Sequence, residues 1–207
     1  MRVIFLVIWF FLGIFLGSAQ KETREVLDAS DIRKIEIYAD EVHKISLSTV
    51  KSEKVIISTH SEGEYYNDIS LVTQEEEHNL KLTTRYPDAL TGGYDKLSAH
   101  KVISMEIELQ VPENIQVYVS SNLASVVARG IYENFYADLK SGYCRLSPFI
   151  GNAIVNTYKG NIYVETTFAN IEAESRNGEV RVPKEMQGAN LLKLKSINGD
   201  ISVFKTK

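Results

Sequence analysis

The sequence predicts an all-β protein: a short β-solenoid of about five rungs, preceded by a meander-like sheet. Three observations predict it. Helical periodicity is almost absent after residue 20. Apolar residues alternate with polar ones instead, the period-two mark of half-buried strands. From Val117 onward, the alternation recurs in register at intervals of 18 to 21 residues.

Taken in chain order, residues 1–19 read as a secretory signal peptide. Arg2 is followed by an apolar run over residues 3–16, which ends at the small residues Gly17, Ser18 and Ala19. The run is short for a membrane span, which needs roughly 20 apolar residues. No second such run follows, so no transmembrane segment is expected after cleavage. Residues 20–207 are expected to form one exported all-β domain, in the periplasm or at the cell surface. Its parts are N-terminal strands over 30–116 and rungs over 117–207. Residues 21–32 hold the one weak helical signal. Strand alternation then runs through Ile35 and Ile37, Val42, Ile45 and Leu47, Val55 and Ile57, Ile69 and Leu71, Leu80 and Leu82, and Ile103 to Leu109. Polar turns are expected at residues 61–63 and 74–77.

The rungs align on Ala124, Gly142, Gly160, Gly178 and Gly199, spaced 18, 18, 18 and 21 apart. Two residues after each anchor stand Val126, Cys144, Ile162, Val180 and Ile201. Seven before stand Val117, Phe135, Ala153, Ile171 and Leu192. These columns read as inward-facing. The Ser or Thr three before most anchors, with the glycine, reads as a tight turn in which glycine supplies positive φ and the hydroxyl bonds nearby backbone. Tyr132, Ile150, Phe168 and Met186 form a column that looks like a corner plug. A fixed period with columns in register is the signature of stacked repeats that share one elongated core.

Two strings carry a family resemblance: Ile171-Glu-Ala-Glu-Ser-Arg-Asn-Gly-Glu-Val-Arg-Val182 and Leu192-Lys-Leu-Lys-Ser-Ile-Asn-Gly-Asp-Ile-Ser-Val203. They resemble the repeat of the bacterial adhesin-type β-strand-repeat domains, relatives of the head GIN domain. Residues 32–37 and 107–119 are similar to the first half of that family. The resemblance covers roughly residues 30–207 and implies an exported solenoid whose biochemical role is largely unassigned.

The chemistry-bearing residues argue against catalysis. Net charge is −4 and well mixed, with no basic stripe for nucleic acid. His43, His60, His78 and His100 lack ligand spacing, so no metal or other cofactor is expected. Cys144 is the only cysteine and occupies an inward column. Ser121, Thr157, Ser175 and Ser196 recur once per rung, as a turn residue does and a nucleophile does not. The outward acids Glu172, Glu174, Glu179 and Asp200 interleave with Arg181, Lys193 and Lys195, a pattern of cross-strand charge pairs. Asn134, Asn152 and Asn170 share a column and are expected to form an amide ladder.

Candidate contact residues are the outward tyrosines Tyr136, Tyr143, Tyr158 and Tyr163, with Tyr86 and Tyr94 in the aperiodic stretch 85–101. The sequence therefore reads as a non-catalytic binding or structural module whose partner is an envelope glycan or protein. A carbohydrate-active enzyme on a solenoid surface, or an accessory of envelope-stress sensing, are the competing readings.

Overall fold

The structure, a computed structural model, describes residues 20–63, 69–85 and 103–206. Residues 1–19, expected to be a signal peptide, together with Tyr86, Tyr94, His100 and nearly all of the stretch 85–101, lie outside the described residues.

Among the described residues fifteen strands follow one another: β1 (Gln20–Asp28), β2 (Lys34–Tyr38), β3 (Lys44–Val50), β4 (Lys54–Gly63), β5 (Ser70–Glu76), β6 (Asn79–Arg85), β7 (Ile103–Pro112), β8 (Ile115–Ser121), β9 (Ser125–Ser141), β10 (Cys144–Lys159), β11 (Ile162–Thr166), β12 (Ala169–Ser175), β13 (Val180–Arg181), β14 (Asn190–Asn198) and β15 (Ile201–Lys205). Their pairings build two layers. Layer one runs β6, β2, β8, the second half of β9, the second half of β10, β14, β12, all parallel. Layer two runs β7, β3, the first half of β9, the first half of β10, β11, β15, β13, also all parallel. Both layers have the same order, so each step of the stack is a rung of two strands, one in each layer. β9 and β10 pass through both layers.

The columns read from the sequence are backbone partners. Cys144 pairs with Val126 on one side and Ile162 on the other, and Ile162 pairs with Ile201. In layer one, Ala153 lies between Phe135 and Leu192. These inward residues are buried and belong to one core cluster with Ile35, Ile45, Leu82 and Ile107. Period-two alternation dictates this result, because every second side chain along a strand faces the same side.

Several expectations are corrected. The N-terminal half is not a meander. β2 and β3 form a rung, with Ile35 beside Val117 and Ile45 beside Val126. β6 and β7 form the next rung outward, and β5, β4 and β1 add antiparallel at that end. Meander and rung share the same alternation, so periodicity does not separate them. Residues 21–28 lie in strand β1 and 29–32 follow it as irregular chain, with no helix, because pairing with residues 54–62 of β4 supplies the hydrogen bonds. Residues 61–63 continue β4 against β7. Gln74 to Glu76 lie in β5, and the hairpin turns at Glu77, whose φ is 53°.

The order of the last rungs also differs from chain order. β14 and β15 insert between the β10–β11 rung and the β12–β13 rung, which leaves the latter outermost. Val180, expected in the core, is therefore 42% exposed. The corner column holds at Tyr132, which is buried and stacks on Phe149 at 5.5 Å, and in part at Met186, which is half-buried against the core. Ile150 and Phe168 are exposed. Register shifts on either side of Phe149 and Ile150 bring Phe149 inward in place of Ile150.

The turn glycines are required for a different reason than expected. Only Gly142 among them has a left-handed φ, +89°. At Gly160 a Cβ would stand 1.8 Å from the Gly142 carbonyl oxygen, so the neighbouring rung's backbone excludes a side chain. The turn hydroxyls bond as expected, three of them across rungs. Ser121 Oγ donates to Ala39 O at 2.5 Å, Ser196 Oγ to Gly160 O at 3.2 Å and Ser175 Oγ to Gly199 O at 2.8 Å. Thr157 Oγ1 donates to Gly160 O at 2.8 Å within its own turn.

Candidate functional site

The outward side of layer one carries the candidate site. Side chains of β8, β9, β10, β14 and β12 that point away from the core line up across the strands in rows, because parallel neighbours are in register. One row reads Tyr118, Tyr136, Ile154, Lys193, Glu172. The next reads Ser120, Asp138, Asn156, Lys195, Glu174. The last, at the turn end, reads Asn122, Lys140, Tyr158, Ile197, Arg176. A groove of about 770 Å³ lies over the last two rows, and one of about 590 Å³ lies over the first and its neighbours. Both run across the strands.

The four candidate tyrosines do not form one patch. Tyr136 and Tyr158 lie on the outward side of layer one, Tyr163 lies on layer two, and Tyr143 lies in the turn between β9 and β10. Tyr136 stacks on Tyr118 with ring centroids 5.0 Å apart and planes 15° apart, and Tyr118 meets Tyr38 at 5.6 Å. Asn156 Nδ2 donates to Tyr136 Oη at 3.1 Å, and the Lys81 ammonium stands 5.2 Å from the Tyr38 ring centre. Burial pushes the Tyr38 phenol above its usual range. Tyr136 therefore closes an aromatic ladder, with one ring face committed to Tyr118. Tyr158 is 57% exposed and sits inside the larger groove. On layer two, Asn161 Nδ2 donates to Tyr163 Oη at 2.9 Å and the Arg145 guanidinium covers its ring at 4.9 Å, while Tyr143 is an exposed turn residue. Tyr38 and Tyr118 are ladder members that the sequence reading missed. The signal for Tyr118 was its 18-residue spacing from Tyr136.

Several further polar groups have local partners. Asn152 Nδ2 reaches Asn134 Oδ1 at 3.3 Å, as expected of an amide ladder. The ladder stops there, because the inserted β14 places Leu191 next to Asn152, whose Oδ1 accepts from Leu191 N at 3.0 Å. Asn170 donates to Gly188 O instead. Lys193 pairs with Glu172 at 3.4 Å and Lys195 with Glu174 at 3.8 Å; Arg181 pairs with Glu179. Cys144 is fully buried, and burial pushes its thiol up to about 12. His60 lies between Glu62 (2.7 Å) and Glu22 (3.3 Å), and these carboxylates, Glu62 first, raise its pKa. Among the described residues, no group of three His, Cys, Asp or Glu could hold a metal ion, and no helix is long and apolar enough to cross a membrane.

Comparison with solved structures shows the fold. A candidate cell adhesion protein of Clostridium sporogenes superposes over 90% of this chain and 100% of its own, with a TM-score of 0.66 at 15% identity. A candidate adhesin of Bacteroides fragilis aligns over 89% of this chain and 97% of its own, with a TM-score of 0.40 at 11% identity. No family model and no curated protein matches the sequence.

Proposed function

We propose that this chain is an exported, non-catalytic, adhesin-like binding module of the bacterial envelope, built as a short β-solenoid that acts as one unit. The outward face of layer one takes an extended ligand, an envelope glycan or a protein segment. The observation that carries the reading is the pair of grooves lying side by side on that one face. They are paved by register-aligned rows of tyrosines, amides and charged side chains. Tyrosine offers a flat apolar body with a polar tip, which suits stacking on sugar rings or packing against peptide.

Several observations support the finer parts. Parallel register at an 18-residue step and a single core cluster favour a solenoid acting as one body. The apolar leader before Gln20 favours export. Glu172 and Glu174, the acids nearest the grooves on β12, are engaged by lysines. That engagement favours binding over the paired, opposed carboxylates that glycoside hydrolysis uses.

The test is a screen of the exported protein against an envelope glycan array and crosslinked envelope extracts, run beside Tyr118→Ala, Tyr158→Ala and the layer-two control Tyr163→Ala. Capture of a ligand that the layer-one variants weaken and Tyr163→Ala leaves intact supports the reading. Capture that is indifferent to layer one, or turnover of the glycan, overturns it.

A further inference from the structure

From the larger groove on layer one we infer that its ligand is a linear acidic polysaccharide of the polyuronate class. The inference rests on the binding role proposed above and concerns which ligand that face accepts. The row Asn122, Lys140, Tyr158, Ile197, Arg176 crosses five rungs. Adjacent parallel strands lie about 4.8 Å apart, so the row spans about 19 Å. Its centre is apolar and open: Tyr158 is 57% exposed and Ile197 beside it is 38% exposed. Exposed neighbours of this size form a platform for the apolar faces of sugar rings.

Cations flank that platform. Lys140 precedes Tyr158 and Arg176 follows Ile197, and both line the same groove. They stand three strand steps apart, about 14 Å, a separation that anionic substituents repeating along an extended sugar chain can meet. Guanidinium suits a carboxylate through bidentate hydrogen bonding, and lysine answers as a point charge.

The acids that line the groove lie in other positions. Asp138 belongs to the neighbouring row with Asn156, where carboxylate and amide oxygens accept from sugar hydroxyls. Glu174 is held by Lys195 at 3.8 Å, and Asp40 lies at the far end, where it accepts from Asn122 N at 3.1 Å. The two rows therefore divide the work: charges and ring faces meet the turn-side row, and hydroxyls meet the inner row. A neutral glycan would use the second row and leave Lys140 and Arg176 without a counterpart.

The probe pair is oligogalacturonide long enough to span the groove, compared with its fully methyl-esterified form, which keeps the backbone and removes the charge. Calorimetric titration of the exported protein is expected to show the acid form binding at least about tenfold tighter than the ester. That difference should shrink as salt screens the exposed cations. Lys140→Gln combined with Arg176→Gln should bring the acid form down to the level of the ester, and Tyr158→Ala should weaken both forms. Thermal unfolding of each variant is the check that these exposed substitutions leave the fold intact. Equal affinity for acid and ester, or an acid preference that survives the double substitution, overturns the acidic class while leaving a glycan-binding face standing. Failure of both forms to bind, with a different ligand captured through layer one in the broader screen, overturns the polyuronate assignment alone.

Discussion

Alanine at Gly199 and alanine at Gly178 should cost very different amounts, although the two glycines occupy the same turn position. A Cβ at Gly199 would stand 2.1 Å from Gly160 O, and one at Gly178 would stand 2.2 Å from Gly199 O. Real Cβ atoms keep at least 3.0 Å, so each substitution demands that the two turns separate, by about 0.9 Å and about 0.8 Å. The difference is in what can move. The β14–β15 rung is held on both sides, by β10 and β11 below and by β12 and β13 above. The β12–β13 rung has a partner on one side and can swing outward. For Gly199→Ala the clash must be absorbed between two hydrogen-bonded neighbours, at the upper end of overpacking costs, about 3 kcal/mol. For Gly178→Ala outward relaxation should hold the loss near about 1 kcal/mol. In a chain of this length each kcal/mol lowers Tm by about 2–4 °C, so the expected drops are about 6–12 °C and about 2–4 °C. Calorimetry of the two variants beside the parent measures both. If Gly178→Ala loses as much as Gly199→Ala, or more, the interleaved order of the last rungs is refuted, because stacking in chain order puts Gly178 inside and Gly199 at the end.

Three further outcomes are expected. Ile162 has no exposed surface and sits between Cys144 and Ile201, so Ile162→Asp should cost more than about 4 kcal/mol, whereas Val180→Asp at the 42% exposed end should cost under about 1 kcal/mol; parallel denaturant titrations compare them. The Cys144 thiol, buried and pushed up to about 12, should resist thiol reagents in the native protein and react fully once the protein unfolds, as a colorimetric thiol assay would show. His60 has its pKa raised by Glu62 and Glu22, so its contribution to docking β1 is fully present below the unfolded pKa near 6.5 and is lost as pH rises through the higher folded value. Hydrogen exchange across β1 should accordingly quicken with pH beyond the intrinsic trend in the parent protein and not in His60→Gln.

The inward columns were legible because alternation leaves little freedom. Val126, Cys144, Ile162 and Ile201 are small or medium apolar residues at one repeat position, and all four are buried backbone neighbours. The order of the rungs was less legible, because exchanging two rungs keeps every inward residue inward. What selects the order is bulk and chain length. An interior rung must fill space on both sides, and Leu192, Leu194, Ile201 and Val203 supply more apolar volume than Ile171, Ala173, Val180 and Val182. The interval before Gly199 is 21 residues and not 18, and three extra residues add up to about 10 Å of chain for crossing back beneath the outer rung. That longer interval was the one visible sign of the crossing. The N-terminal rungs were hidden for a related reason: residues 51–114 separate β3 from β8, so no short period links Ile35 to Val117 or Tyr38 to Tyr118.

Rung order also decides what the binding face presents. Stacked in chain order, the turn-side row would read Lys140, Tyr158, Arg176, Ile197, with the two cations about 10 Å apart and the aliphatic residue stranded at the end. Inserting β14 before β12 places Ile197 beside Tyr158 and moves Arg176 one strand outward. The apolar platform doubles in width and the cations now bracket it. The exchange keeps every inward residue inward and changes only how much apolar volume the interior rung supplies, whereas it reorders the outward row, whose chemistry differs from rung to rung. The glycine pair and the polyuronate titration are therefore linked. If Gly178 proves to be the interior turn, the row that recognises an anionic sugar chain is broken in the middle, and the acid preference should disappear with it.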